Sequence, residues 1–280
     1  LVLNKYDLKS RKWTQIQDNL ISGENKRNAY WQACVDNQGI IHISWVWRES
    51  WLVETNHDLC YARSSDGGIT WENSEGKKYD LPIIASTAEY ACRIPQNSEL
   101  INQTSMITDS KGDPYIASYW REQGSDIPQY HVVYLDKGDW KVTDLNFRQT
   151  PFSLKGGGTK KIPIARPQLL TQSKGDKTSL CLIFRDEERG SKVSAATCTD
   201  ISKGEWKIKD LTDFPVGSWE PSFDTELWRN KQEAHIFIQN TEQVDGEGRA
   251  NIPPQKIQIL VINKKNILLL KIFIIVMIDL

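Results

Sequence analysis

Histidine, tyrosine and arginine are the side chains of this sequence whose types could support catalysis. Histidine and tyrosine transfer protons, and the planar guanidinium group of arginine matches a carboxylate. His57 has polar neighbours on both sides, which favours a functional role over a purely structural one at a strand end. His42 lies in an apolar run and fits a hydrogen-bonded core position equally well. For His131 and His235 we expect structural roles.

Arginines recur where apolar segments begin or end, so one fold could gather them into a cluster. Arg48 and Arg121 follow such segments, Arg166 precedes one, and Arg185 ends one. Tyr119 lies two positions before Arg121. A run of acidic residues follows Arg185, so the alternative for this arginine is a solvated, salt-bridged surface loop. Arg121 and Arg166 are the main functional candidates among these arginines, because each follows or leads a predicted strand.

The elements that must position these side chains repeat along the chain. An apolar strand, a polar turn with Asp and Gly, and a second apolar strand occur at residues 30–45, 104–121, 166–185 and, more weakly, 220–239. Second hairpins follow, for example at residues 130–140 and 194–206. Four strands per unit, alternating apolar positions and no convincing amphipathic helix predict an all-β propeller of four-stranded blades.

The two ends of the chain bear on how such a ring would close. Residues 1–17 match only the second hairpin of a unit, so the missing half should come from the strand after Pro254 or from the apolar tail. We expect one domain over residues 1–264, five blades, and residues 265–280 as a candidate closing strand. Six or seven blades would require weaker repeats. The apolar run in the tail is shorter than the ~20 residues that cross a bilayer.

A turn motif with a defined geometry runs from Ser64 to Trp71. It fits Ser-x-Asp-x-Gly-x-Thr-Trp, the Asp-box, at every fixed position. Asp66 can accept hydrogen bonds from N–H groups of its own turn, and Gly67 and Gly68 can adopt positive φ angles. Trp71 can cover the turn as an apolar plug. Such a turn stabilises a hairpin and usually lies far from a reaction centre, so it predicts a fold and no chemistry.

Composition limits the classes of partner. The 280 residues include 35 basic and 36 acidic ones, which gives no reason to expect nucleic acid as a partner. The 11 tryptophans suit packing between blades or stacking on sugars. The 5 cysteines lack C-x-x-C spacing and the 4 histidines lack helical metal-ligand spacing, so we expect free thiols, no metal and no other cofactor. No leader peptide is recognisable, although it could have been removed or left out, and we expect an extracytoplasmic monomer.

Six further segments share one pattern of residues: 56–68, 102–104, 119–121, 165–167, 184–187 and 219–221. Together they resemble one family of β-propellers, the neuraminidase-repeat (BNR, Asp-box) family, which includes polysaccharide lyases acting on ulvan and on rhamnose–glucuronate linkages. The resemblance implies a sialidase-like propeller that binds an acidic oligo- or polysaccharide. The leading hypothesis is β-elimination at a uronic acid. The alternatives are a sialidase-type glycoside hydrolase and a non-catalytic glycan-binding propeller.

The resemblance to these lyases also implies roles for particular residues. A uronate lyase neutralises the sugar carboxylate, removes the C5 proton and protonates the leaving oxygen. The predicted catalytic residues are His57, His42, Arg121 and Tyr119. The predicted substrate-binding residues are Arg166, Arg185, Arg48, Asn102, Trp219 and Glu220. Packing between blades is the alternative role for Trp219. For a sialidase, an arginine cluster would form from Arg121, Arg166 and Arg185.

Overall fold

Antiparallel sheets follow one another along the chain in the computed structural model. The structure describes residues 1–102, 105–175, 177–263 and 275–278; for residue 263 and residues 275–278 it describes the backbone alone. The N-terminal hairpin contains β1 (Leu3–Asp7) and β2 (Lys12–Gln17). The first sheet contains β3 (Asn28–Val35), β4 (Ile41–Arg48), β5 (Asn56–Ser64) and β6 (Glu89–Cys92). The second contains β7 (Ser105–Thr108), β8 (Pro114–Trp120), β9 (Gln129–Asp136) and β10 (Asp139–Asp144).

The remaining elements form two further sheets. The third sheet contains β11 (Gln168–Lys174), β12 (Lys177–Asp186), β13 (Lys192–Cys198) and β14 (Trp206–Pro215). The fourth contains β15 (Glu233–Gln239), β16 (Ile257–Asn263) and β17 (Ile275–Ile278). Among the described residues one α-helix occurs, α1 (Thr225–Lys231), and it precedes β15.

Each four-stranded sheet is a meander whose strands pair in chain order. Strand β7 contacts both β3 and β11, so the first strands of three successive sheets are neighbours. Inner strands of propeller blades are arranged in this way. The prediction of an all-β chain with four-stranded antiparallel sheets is confirmed, whereas the number of blades and the closure of a ring stay predictions.

Equivalent turns of the first two sheets use the same hydrogen bonds. One carboxylate oxygen of Asp36 accepts from the N–H groups two and four positions on, at 2.8 Å each. Asp109 does the same at 2.8 and 3.1 Å, and its second oxygen accepts from the Thr178 hydroxyl of the third sheet at 2.8 Å. Gly39 and Gly112 provide the positive φ angles of +84° and +90° that complete these turns. The Asp-x-x-Gly turn therefore shapes its hairpin and, at Asp109, also fixes the next sheet.

The core lies between successive sheets, where large aromatic side chains are buried. Trp45, Trp47 and Trp71 pack in one cluster with Leu20 and Ile21, between the first sheet and the N-terminal segment. Tyrosines and a phenylalanine fill the cluster between the second and third sheets. Most tryptophans of the first sheet thus serve packing, which was the structural alternative for them.

The N-terminal hairpin stays two-stranded among the described residues, which corrects the prediction that the strand after Pro254 or the tail completes it. That strand is β16, and it pairs with β15 in the register Ala234↔Ile262. Strand β17 pairs with the other edge of β16. Leu260 and Ile262 are buried in the fourth sheet's core, so apolar packing holds β16 there. The rest of the tail lies outside the described residues.

No helix in the described part of the chain is long and apolar enough to cross a membrane. All five cysteines are free thiols.

Candidate functional site

The sheets share a common polarity, which defines two faces. Strands β4, β8 and β12 end, and β5, β9 and β13 begin, on the side that we call the upper face. The side chain of Asn56 in the first sheet donates to the Leu100 carbonyl before β7, at 2.9 Å, and the Leu169 N–H donates to Ser105 Oγ at 3.0 Å. These bonds join the upper ends of three sheets. All predicted site residues except His42 lie on this face.

The Asp-box turn lies on the opposite, lower face. Asp66 accepts from the N–H groups of Ile69 and Thr70 at 3.0 and 2.9 Å, and Trp71 Nε1 donates to the Gly68 carbonyl at 3.0 Å. The Thr70 hydroxyl also donates to Asp66, and this bond is the largest cause that lowers the pKa of Asp66 to about 2. Seven strand residues, roughly 23 Å, separate this end of β5 from His57 at the other.

His57 is held between two carboxylates at the start of β5. Its Nδ1 lies 3.0 Å from Asp58 Oδ2 and its Nε2 lies 2.8 Å from Glu49 Oε1. Arg27 Nε donates to the same Glu49 oxygen at 2.6 Å. The hydrogen bond to Asp58 is the largest cause that raises the pKa of His57, and partial burial opposes it. The arrangement favours an imidazolium that donates from both nitrogens, so it leaves no free lone pair for a base.

His42 lies at the other end of the same hairpin, buried among polar partners. It pairs in register with Arg63, whereas His57 pairs with Trp47, five residues further along β4 and so roughly 17 Å away. Its Nδ1 is 2.7 Å from Tyr61 Oη and its Nε2 is 3.4 Å from Asp36 Oδ2. Burial lowers the pKa of His42. The two histidines therefore do not converge, which corrects the prediction of a shared acid/base pair.

Arg166 and Glu220 form an ion pair that links the third sheet to the fourth at the upper face. Glu220 Oε2 accepts from Arg166 Nε at 3.1 Å and from its backbone N–H at 3.0 Å. The two side chains are 47% and 37% exposed, so solvent and ligands can reach both. Partial burial raises the pKa of Glu220, and Arg166 opposes this shift.

Tyr119 of β8 is a buried tyrosine whose pKa is influenced by both members of this ion pair. The side chain is fully buried against Tyr130 and Phe152, and its oxygen has no hydrogen-bond partner among the described residues. Burial raises the pKa of Tyr119 well above its ordinary value; Glu220 adds to this shift, and Arg166 is the first of three arginines that oppose it. The structure thus brings Arg166 and Glu220 into contact, and the charges of both act on the pKa of Tyr119.

The other predicted arginines are engaged with backbone carbonyls. Arg185 is buried and donates to the carbonyls of Trp219, Ile162 and Pro163 at 3.3, 3.0 and 2.8 Å. This corrects the alternative of a solvated loop for Arg185. Arg121 donates to the carbonyls of Ser125 and Asn97, and Arg48 donates to those of Ser50 and Trp51. Their guanidinium groups brace upper-face loops.

Asn102 and Trp219 are placed between sheets. Asn102 Oδ1 accepts from Asn56 Nδ2 at 3.0 Å, which links the first sheet to the segment before β7. Its motif neighbours Gln103 and Thr104 lie outside the described residues. Trp219 is buried and its Nε1 donates to the Phe237 carbonyl at 2.9 Å. These contacts support a packing role for Trp219, which was the alternative to substrate binding.

A buried ion pair beneath the site was not anticipated from the sequence. Arg148 Nε donates to Asp186 Oδ2 at 2.7 Å, and both side chains are almost completely buried. Burial raises the pKa of Asp186, and Arg148 opposes this shift. The acidic run after Arg185 resembled a surface loop, and Arg148 stands alone in a polar stretch. The sequence contains no signal that pairs them across 38 positions.

The segment between β10 and β11 crosses the upper face and connects distant sheets. Its Gly156 N–H donates to Glu54 Oε2 of the first sheet at 2.8 Å, and its Lys161 N–H donates to Asp245 Oδ1, beyond β15, at 2.7 Å. Gly157 lies against the Trp51 ring so closely that a β-carbon there would approach a ring atom to 2.1 Å. The same segment places Phe152 over Tyr119.

A cavity of about 500 Å³ lies among the first strands of the sheets. Strands β3, β7 and β11 and helix α1 line it. Within the described residues no group of three or more histidine, cysteine, aspartate or glutamate side chains could hold a metal ion.

A family profile described as BNR repeat-containing family member matches residues 1–148. No curated protein matches the sequence. Among solved structures, polysaccharide lyase Uly1 is 15% identical with a TM-score of 0.56, over 94% of this chain and 52% of Uly1. A PL25 ulvan lyase bound to -[GlcA(1-4)Rha3S]- is 14% identical with a TM-score of 0.54, over 93% of this chain and 56% of the lyase.

A Penicillium chrysogenum α-L-arabinanase complexed with arabinobiose is 10% identical with a TM-score of 0.50, over 95% of this chain and 69% of the arabinanase. At these identities the similarity concerns the fold. The chain spans about half the length of the two lyases. Because the family profile matches more than half of its residues, this chain belongs to the BNR repeat-containing family.

Proposed function

We propose that this protein is a carbohydrate-active propeller that cleaves an acidic polysaccharide at a uronic acid by β-elimination on its upper face. The observation that carries the proposal is the exposed ion pair of Arg166 with Glu220, whose charges act on the unpartnered hydroxyl of Tyr119. The similarity in fold to two polysaccharide lyases supports the proposal.

Arg166 is the group that would bind the substrate carboxylate. Its guanidinium can form a two-pronged contact with a carboxylate, and it is about half exposed. Glu220 occupies it in the free protein. Because burial raises the pKa of Glu220, protonation of that carboxyl is eased, and a neutral Glu220 would release Arg166 to the substrate.

Tyr119 is the group that would move the proton. Its hydroxyl has no hydrogen-bond partner among the described residues. Burial raises its pKa well above the ordinary value and so keeps the hydroxyl protonated, and the charges of three arginines oppose this shift only in part. Phe152 covers it, so the proposal requires the segment that carries Phe152 to move when substrate binds. His57, which is locked between two carboxylates, is assigned a positioning role for the loop that carries Glu49.

The same three residues favour a second candidate, a sialidase-type glycoside hydrolase. Such enzymes combine a tyrosine nucleophile with a glutamate and an arginine cluster, and the charges of Glu220 and Arg166 both act on Tyr119. A non-catalytic glycan-binding propeller is the third alternative, with Arg166 as the anchor.

Incubation with ulvan, a glucuronate-capped glycan and a sialylated glycan separates these candidates. The lyase proposal expects an unsaturated uronate with its ultraviolet absorbance; release of free sialic acid would indicate the hydrolase, and binding of intact glycan the non-catalytic module. Arg166→Ala should abolish turnover, whereas Arg11→Ala, a change at an exposed arginine of the N-terminal hairpin, should not. Full activity of Arg166→Ala would remove this site from consideration.

We also propose that residues 1–264 form one domain of a five-bladed, monomeric propeller that works outside the cytoplasm, where a polymeric glycan would be met.

A further inference from the structure

A second ligand site is suggested by the cavity among the first strands, which is separate from the arginines of the upper face. Its volume of about 500 Å³ falls within the ~300–1,000 Å³ typical of small-molecule sites. The first strands of three sheets contribute to its wall, together with α1 and Phe223. It reaches the lower-face turns at Asn37 and Asp109.

Two side-chain amides face this cavity with unused hydrogen-bonding capacity. Gln32 of β3 and Gln168 of β11 line it, and neither amide has a hydrogen-bond partner among the described residues. Each amide offers two donors and an acceptor, which suits adjacent hydroxyl groups of a sugar. Ser105 of β7 lies between their strands; its oxygen already accepts from Leu169 N–H, and its own O–H proton remains to be donated.

The charges at the cavity wall are balanced internally. Arg229 pairs with Glu226 on helix α1. The carboxylate of Asp109 is occupied by its own turn and by the Thr178 hydroxyl. The described wall therefore has one cationic side chain, which is already paired, and two carboxylates, and this balance disfavours an anionic ligand. Met106 and Phe223 add apolar surface, against which the C–H face of a sugar ring can pack.

We propose that this cavity binds a neutral saccharide unit through Gln32 and Gln168, as a site distinct from the upper-face arginines. Neutral sugars fit because amides, a hydroxyl and apolar side chains line the wall without a free cation. The inference does not depend on which reaction, if any, the upper face performs.

Saturation-transfer NMR on the full chain tests it, with the methyl glycosides of glucose, galactose and rhamnose as neutral probes and glucuronate as the charged probe. At least one neutral glycoside should bind, and glucuronate should bind at least tenfold more weakly. Gln168→Leu and Gln32→Leu should each weaken the neutral probe about tenfold, since each removes one or two hydrogen bonds. The control Gln15→Leu, on exposed β2, should change nothing.

Three results would overturn the proposal: no binding of any neutral probe by the unaltered protein, unchanged binding by both variants, or glucuronate binding as tight as the neutral probe. Far-ultraviolet circular dichroism confirms that the variants are folded. Arg166→Ala, which should abolish activity, should leave this binding intact, so failure of the cavity proposal and failure of the lyase proposal are distinguishable.

Discussion

The unpartnered hydroxyl of Tyr119 gives a prediction in which stability and activity change in opposite directions. Tyr119→Phe removes one oxygen and retains the ring that packs on Tyr130 and Phe152. Most changes at a fully buried aromatic residue lower stability. The Tyr119 hydroxyl differs, because it has no hydrogen-bond partner among the described residues of the folded protein. In the unfolded chain water can hydrogen-bond to it.

The magnitude follows from that imbalance. A buried polar group without a partner costs about 1–3 kcal/mol, so its removal should stabilise the protein by about 1 kcal/mol once the small cavity left behind is allowed for. For a chain of this size the unfolding temperature should rise by about 2–4 °C. If the hydroxyl moves the proton, turnover should fall at least 100-fold.

Urea unfolding followed by tryptophan fluorescence measures the first effect, and the lyase assay measures the second. Tyr130→Phe is the matched control, because the Tyr130 hydroxyl donates to the Ala165 carbonyl at 2.8 Å. That variant should lose about 1 kcal/mol of unfolding free energy. A Tyr119→Phe protein that is destabilised as much as the control would show that the hydroxyl has a partner. Unchanged turnover would refute its catalytic role.

Three further changes test the structure around the site. Arg148→Met should lower the unfolding free energy by about 3–5 kcal/mol, because it leaves the buried Asp186 carboxylate without its partner. The double variant with Asp186→Leu should recover much of that loss. An equal loss in the single and the double variant would argue against the buried pair. Gly217→Ala should unfold at a much lower urea concentration than Gly39→Ala. Both glycines have a positive φ, but only at Gly217 would a β-carbon lie 2.1 Å from a backbone oxygen; similar urea midpoints of the two variants would contradict this clash. The pKa of His57 is raised in the folded protein, so the stability that His57 contributes should be complete below about pH 6.5 and be lost as the pH rises through the raised pKa. Above that pH the unfolding midpoints of the unaltered protein and of His57→Gln should be equal. A difference between the two midpoints that persists at higher pH would contradict the carboxylate pairing.

Much of the strand pattern could be predicted because it depends on neighbours in sequence. The apolar alternation and the Asp-x-x-Gly turns at Asp36 and Asp109 predict the hairpins of the first and second sheets, and the structure has strands at both places. The hydrogen bonds of Asp66 also stay within four residues of it. Local geometry of this kind needs no information from distant parts of the chain.

Side-chain roles at the site depended instead on which residues the sheets bring together. Arg185 and Arg166 look alike in sequence, yet one is buried on three carbonyls and the other is half exposed beside Glu220. His42 and His57 are near in sequence but lie at opposite ends of one hairpin. Each lies near the start of its strand, and the antiparallel strands β4 and β5 start on opposite faces. The sequence alone determined the strands, the turns and the family resemblance, since these follow from short-range periodicity and backbone preference. Only the tertiary structure decided which charged groups are buried, paired or open to a ligand, because burial and ion pairing arise from contacts between residues tens of positions apart.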